Sequence, residues 1–523
     1  MSPVEVITPE VAVQDKEELG QLGYRQELDR RLGSFSSFAA GFSYISILTG
    51  MFQLFAFGYA FGGPAMFWTW PTVLIGQMLV ALCFAEYAAT YPIAGSSYMW
   101  SRQIASRATS WMAGWLLVTG GIVTIAAVAV AWQVILPQID SRFQFFGGTA
   151  DIGSFSTPNG AKNAILLGCI LIVITTIINC IGIRLMARIN NIGVVCELVG
   201  ASALIIVLAT HIKRGPSVVT ETLGTGSGHS AGYLGAFLLA ILMSAYVMYG
   251  FDSAGQLAEE TNQPRKRAPI AIIRALGAAG ILGMLLILVA LMAVGDINNP
   301  NIGTSGLVFI VQDTMSWPLY DIFLIDVMIA ITVCCLAVQT MAIRSAFAMA
   351  RDNHLPGGSV LARVSKTTRT PIVPSIAIGL LAIALLLINI GNQRVFTVVT
   401  SVAIIMFYMA YLYCTVPMLL ARFTGRWPRP GSEGYFSLGR WGLPINIVAV
   451  LYGAGMVFNL AWPRAEVYGT DKWYYQYGAY VFVGGVMIFG AIYYYLVQRN
   501  QPFGILDEHQ SAEAATVVAS LRC

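Results

Sequence analysis

The sequence predicts an all-α polytopic membrane protein with twelve transmembrane helices, and three observations carry that expectation. The chain has 523 residues, 57% of them hydrophobic and 11% charged, with a mean hydropathy of +0.69. Soluble domains do not have this composition. Apolar runs of about spanning length recur twelve times, near 36–61, 66–89, 111–136, 163–183, 189–210, 233–257, 270–294, 320–349, 373–390, 395–420, 442–461 and 474–496. Finally, alternate loops share the basic residues unequally, 23 against 7. By the positive-inside tendency this places both termini in the cytoplasm, requires an even number of spans, and suits a multi-pass protein of the plasma membrane.

Residues 1–35 are polar and charged and read as a mobile cytoplasmic arm, with Leu19–Leu32 as a short surface helix. No cleavable signal is expected, because that stretch lacks an apolar core. The first span carries SYISILTGMF, Ser43 to Phe52, where Ser46, Thr49 and Gly50 interrupt an apolar run. Glu86 ends the second span, with Arg102 or Arg107 as its expected partner. Glu197 lies in the fifth span, six residues after Asn191 and so about 9 Å further along a helix.

The sixth span, Tyr246 to Ile272 at its end, is the most informative stretch. It reads YVMYGFDSAGQLAEETNQPRKRAPIAI. Gly250, Asp252 and Ser253 weaken a helix, and an aspartate at membrane depth costs roughly 2.5–3.5 kcal/mol. Opened backbone is tolerated there only where it lines a cavity. Gly250–Gly255 is therefore expected to break the helix, with Glu259-Glu260 facing Arg265-Lys266-Arg267 beyond it. Two interrupted spans placed five apart point to an inverted 5+5 repeat with a midplane site. The expected organisation is an arm (1–35), a ten-helix core (36–421, with repeats about 36–210 and 233–420), two extra C-terminal helices with the loop before them (422–497), and a cytoplasmic tail (498–523). The twelfth run is framed by Tyr474-Tyr475 and Tyr493-Tyr494-Tyr495, an aromatic belt at each interface.

At the two broken spans the sequence resembles the amino acid–polyamine–organocation permease superfamily, closest to its amino acid, choline and γ-aminobutyrate branch. The motifs are GYRQELDRRLGSFSSFAAGFSYISILTG (Gly23–Gly50), AEYAATYPIAGSSYMW (Ala85–Trp100), Gly250-Phe251-Asp252 with Glu259-Glu260 and Ala268-Pro269, and RSAFAMARDNHLP (Arg344–Pro356). The resemblance covers roughly residues 24–497. It implies a leucine-transporter-type fold and alternating access driven by an ion gradient. The superfamily's first break is usually Gly-Ser-Gly; here it is Leu48-Thr49-Gly50, which keeps choline-like and ω-amino substrates open beside α-amino acids.

The expected substrate-binding set is Ser46, Ile47, Leu48, Thr49 and Gly50 at the first break, with Tyr249, Gly250, Phe251, Asp252 and Ser253 at the sixth. Amides of a half-helix starting near Gly50 suit an anionic group. Carbonyls near Tyr249–Phe251 suit an ammonium. Phe251 is the candidate lid, able to hold a cation over its ring or simply to pack, and Asp252 is expected to orient the broken backbone. Arg344 and Arg351 are expected to pair with Asp352 or Glu259, so that Phe251, Glu259 and Arg344 form the gates. In several superfamily members a lysine holds the place of Glu197, beside the first and eighth spans. Glu197 is therefore the candidate ion-coupling residue, where desolvation disfavours the charged form. Asp326 either attracts a cation or snorkels, Gly58 and Gly62 pack helices closely, and Cys334-Cys335 reads as packing.

The function expected is secondary active transport of amino acids or small amines, with proton or sodium as coupling ion and membrane lipid as solvent. The alternatives are an amino-acid sensor and a sodium-coupled or choline-type transporter. No disulfide, metal site, cofactor or nucleic-acid partner is expected. An enzyme is disfavoured because no histidine falls in an apolar run and no Ser/His or Cys/His constellation lies at depth. The lack of a GxxxxGK[ST] loop argues against a primary pump.

Overall fold

A helix is the default wherever backbone polar groups must be satisfied inside hydrocarbon, and helices are what the apolar runs form. The computed structural model describes residues 9–28, 30–229, 231–388, 390, 395–428, 434–464 and 473–501. Among these, the only β pairing is one isolated parallel bridge, Leu32 with Thr261. Among the described residues, ten helices are long and apolar enough to cross a membrane. Each of the twelve expected runs coincides with a helix, but two fall short of that length. Ile372–Ile388 has 17 residues, and Tyr233–Val247 has 15 because the sixth span breaks after it. The side chains of Tyr474 and Tyr475, and the tail beyond residue 501, lie outside the described residues.

The spans differ in burial in a way that follows their sequences. The most apolar window of Arg107–Ile139 is 83% buried, while that of Gly478–Asn500 is 17% buried. The first, third, sixth, eighth and tenth spans surround the centre, and the twelfth packs outside on the third through Trp115, Phe489 and Gly490. Gly58 and Gly62 bring the first span against Met243 and Ala240 of the sixth, tight packing as expected from their spacing.

Both ends of the bundle are covered. At one end, Pro300–Thr314 lies on the first span, with Gly306 (φ 57°) against the Ala56 backbone. A cap there also joins Ala65 N–H to the Glu221 carbonyl, at 2.9 Å. At the other end, where the basic loops gather, the N-terminal arm is docked. It forms a helix at Pro9–Gln21, further toward the N-terminus than Leu19–Leu32. Arg31 and Leu32 N–H then donate to the Glu260 carbonyl at 2.9 and 2.8 Å, and Asn262 N–H donates to the Leu32 carbonyl at 3.0 Å. Arg30 pairs with Asp15 at 3.1 Å. A charged segment that composition reads as solvated is held because the turn after the sixth-span break offers it unpaired backbone groups.

Candidate functional site

The first span is two helices, Ser34–Ile45 and Ile47–Gly62, joined at Ser46 with φ 32°. The second half-helix thus starts at Ile47, three residues before the expected Gly50. The Leu48 N–H at its open end donates to Glu197 Oε1 at 3.1 Å, and the Ser46 hydroxyl donates to the same oxygen at 2.9 Å. Ser46 Oγ also shares a hydrogen bond with Thr49 Oγ1 at 2.6 Å. The fifth span is registered to the first by two further contacts, Asn191 Nδ2 to Ser36 Oγ at 2.8 Å and Ser43 Oγ to Asn190 Oδ1 at 2.6 Å. A carboxylate accepting at a helix N-terminus is favourable, and here it comes from the protein itself. No basic side chain pairs with Glu197 among the described residues. Asp326 of the eighth span faces Gly200, one turn further along the fifth.

The sixth span leaves its helix after Val247 and resumes at Ser253–Gln256. Gly250 adopts φ 82°, and a Cβ there would run into the Tyr44 ring. Its N–H donates to Tyr411 Oη at 2.8 Å, and the Tyr411 hydroxyl donates to Asp252 Oδ1 at 2.7 Å. Ser96 donates to Asp252 Oδ2 at 2.5 Å. Both Asp252 oxygens are thereby engaged in holding the break. Ser253 donates to the Ala40 carbonyl at 2.9 Å, and the Gly250 carbonyl accepts from Ser253 N–H at 3.1 Å, so it does not face an open space. Phe251 is fully buried between Phe84 and Tyr411, with ring centroids 5.9 and 5.3 Å away.

Between the two breaks lies a nearly closed cavity with about 10 Å³ of free space, room for about one water. Of the residues expected to bind substrate, Thr49, Gly50 and Tyr249 line it. Tyr44, Thr124, Tyr246 and Cys334 also line it and escaped the sequence reading. The lining carries no charged side chain. The Tyr44 and Tyr246 hydroxyls, 4% and 6% exposed as residues, have no protein partner among the described residues. Tyr249 Oη shares a hydrogen bond with Thr124 at 3.2 Å, and the Cys334 thiol donates to the Tyr44 carbonyl at 3.4 Å. Phe251, Asp252 and Ser253 are not among the lining residues.

Toward the basic end, two buried ion pairs close the space under the sixth-span break. Arg351 grips Glu259 at 2.8 and 2.9 Å, and Arg344 grips Glu260 at 2.7 and 3.1 Å. Each pair is bidentate, the geometry that best offsets desolvation. Arg351–Glu259 is one of the expected pairings, whereas Arg344 takes the neighbouring Glu260; Glu259 also accepts from Ala94 N–H at 3.1 Å. Arg265 turns from the glutamates and stacks on Tyr435, 3.7 Å from its centroid. Asp352 pairs with neither arginine; it accepts from the Tyr24 and Tyr98 hydroxyls, both at 2.9 Å. Glu86 is bound by Arg422, not by Arg102 or Arg107, a partner 336 residues away that no local spacing reveals. No group of His, Cys, Asp or Glu among the described residues could hold a metal ion.

A sequence model of the amino acid permease family matches residues 32–488, which includes both broken spans and both ion pairs. The chain belongs to that family. It is a multi-pass membrane permease, not an enzyme. Amino-acid permease BAT1 of Arabidopsis thaliana is 28% identical, over 83% of this chain and 86% of its own. The methylthioribose transporter of Bacillus subtilis is 26% identical, over 73% of this chain and 82% of its own. A crystal structure of MhsT in complex with L-phenylalanine has the same fold. Its TM-score is 0.57 at 16% identity, with 82% of this chain and 97% of that chain covered. That likeness makes the fold the leucine-transporter type.

Proposed function

We propose that this permease is a secondary active transporter of neutral amino acids across the plasma membrane, with both termini cytoplasmic and a proton as the coupling ion. The single observation behind the substrate class is the uncharged lining between the two breaks, where the Tyr44 and Tyr246 hydroxyls have no protein partner among the described residues; the space, closed here to about one water, widens to admit substrate. A substrate carrying net charge would lose its hydration there and gain no counter-charge, which is costly. A zwitterion brings its own compensation, and its polar ends can meet the half-helix amides and the opened sixth-span backbone.

The hydrogen-bonded row Thr49–Ser46–Glu197 supplies the coupling in this reading. A substrate carboxylate at the first break would stand beside the Glu197 carboxylate, and like charges at that separation repel strongly. A proton on Glu197 removes the repulsion and loosens its hold on the Leu48 amide, freeing that amide for the substrate. Proton and substrate then enter together, and opening the Arg351–Glu259 and Arg344–Glu260 pairs lets both leave.

A second reading rests on the same lining. Tyr44, Tyr246 and Tyr249 form an aromatic wall, and such walls also hold quaternary ammonium groups by cation–π attraction. A ligand-induced thermal-shift screen of purified protein decides between them. Stabilisation by neutral amino acids and not by choline, lysine or polyamines supports the first; stabilisation by choline alone overturns it. Orientation is checked by single cysteines at the exposed positions Lys266 and Ser227. Lys266→Cys is expected to react from the cytoplasm only and Ser227→Cys from outside only.

A further inference from the structure

We propose that a lateral groove beside the third, tenth and eleventh spans binds one anionic phospholipid, with an acyl chain along the tenth span and the phosphate at Arg426. The groove is a separate cavity of about 530 Å³, open to the side of the bundle. Its floor is one face of the helix Val395–Phe423. Met409, Leu412, Val416 and Leu420 stand at helical spacings along about 16 Å. That is about half of a hydrocarbon core of roughly 30 Å, the reach of one leaflet's chains. Val457 of the eleventh span closes the deep end.

The groove has a local cause. Pro417 has no N–H, so the Tyr413 carbonyl one turn earlier loses its helical partner. That carbonyl turns to the Ser101 hydroxyl, which donates to it at 2.9 Å. The tenth span is thereby pinned to the short helix Ser96–Ile104 ahead of the third span, and the connector Ala105–Ser106 becomes the groove's rim.

Apart from Tyr413 on the floor, the polar lining residues stand at that rim. Ser106 caps the helix Arg107–Ala129, Thr109 follows it, and Arg426 stands across from both. The Arg426 guanidinium is exposed and donates to Thr424 Oγ1 at 3.0 Å, and it forms no ion pair among the described residues. A largely apolar slot one leaflet deep, ending in an arginine with no acidic partner among the described residues at the end where the basic loops gather, matches an anionic lipid in charge and length. Basic pockets between spans on that side are where anionic headgroups bind. A phosphatidylcholine headgroup would set its ammonium against the same arginine.

The test uses the full-length protein in vesicles of phosphatidylcholine, with and without one part in five of phosphatidylglycerol. Lipid retained through detergent extraction is then read by native mass spectrometry. The wild type is expected to keep one phosphatidylglycerol in preference to phosphatidylcholine. Arg426→Gln is expected to lower that preference about fivefold, Arg426→Lys to keep most of it, and Val416→Trp, which fills the floor, to lose both lipids. Equal retention by wild type and Arg426→Gln overturns the proposal. So does a Val416→Cys variant that cross-links two copies in the mixed vesicles, because the groove then seats a second chain.

Discussion

Glu197 and Leu48 stand 149 residues apart in sequence, yet the carboxylate of one accepts the open-end amide of the other at 3.1 Å. The first-span break therefore carries its own anion, which ties the fifth span to the place where substrate is expected.

Gly250→Leu tests the sixth break. The new Cβ meets the Tyr44 ring, and an L-residue at φ 82° costs about 1–2 kcal/mol. Uptake should fall by at least about tenfold while the protein still inserts and elutes as a single species. Transport at the wild-type rate by a normally inserted variant would move the site elsewhere.

The buried pair Arg351–Glu259 tests the closure at the basic end. Arg351→Ala leaves a fully buried carboxylate unpaired, and such losses cost about 3–5 kcal/mol. The melting temperature should drop by several degrees. Replacing both partners, Arg351→Met with Glu259→Gln, should recover most of it. Thermal unfolding of the three proteins gives the answer, and equal melting of single and double variants would contradict the pairing.

His354 lies outside the spans, fully buried, with Nδ1 2.7 Å from the Tyr98 hydroxyl. Burial first, then Arg102 and Arg107, push its pKa down to about 3. The fold thus requires the neutral ring, while the unfolded chain protonates it near its ordinary value of about 6.5. Its contribution is complete above about pH 6.5 and is lost as pH falls toward 3. About 1.4 kcal/mol should disappear between about pH 7.5 and 5.5. His354→Gln should flatten that part of the stability profile in a pH series of melting curves; an unchanged slope would show that another group sets it.

The sequence announced what is costly and concealed what is ordinary. Asp252 and Gly250 stood out because a carboxylate and a helix breaker inside an apolar run must be compensated. Glu197 stood out for the same reason. Tyr44 and Tyr246 did not, since aromatic residues in a span look like packing until the backbone opens beside them. The first break falls at Ser46, whose φ of 32° is rare for a residue with a Cβ, so composition pointed instead to Gly50. Partners such as Glu86 and Arg422 depend on how the second and tenth spans meet. The docking of the arm depends on backbone groups that exist only once the sixth span has broken.

In the proposed cycle Glu197 carries the coupling proton, and Glu197→Gln removes that proton's carrier alone. Glutamine keeps the shape and an acceptor for Leu48 and Ser46 but cannot gain or lose the proton. Purified wild type and variant are reconstituted into vesicles, and a neutral amino acid identified by the thermal-shift screen is followed under an imposed pH gradient and in counterflow. The variant is expected to lose gradient-driven accumulation and to keep exchange. Full proton-driven accumulation by Glu197→Gln would contradict it and remove Glu197 from the coupling mechanism.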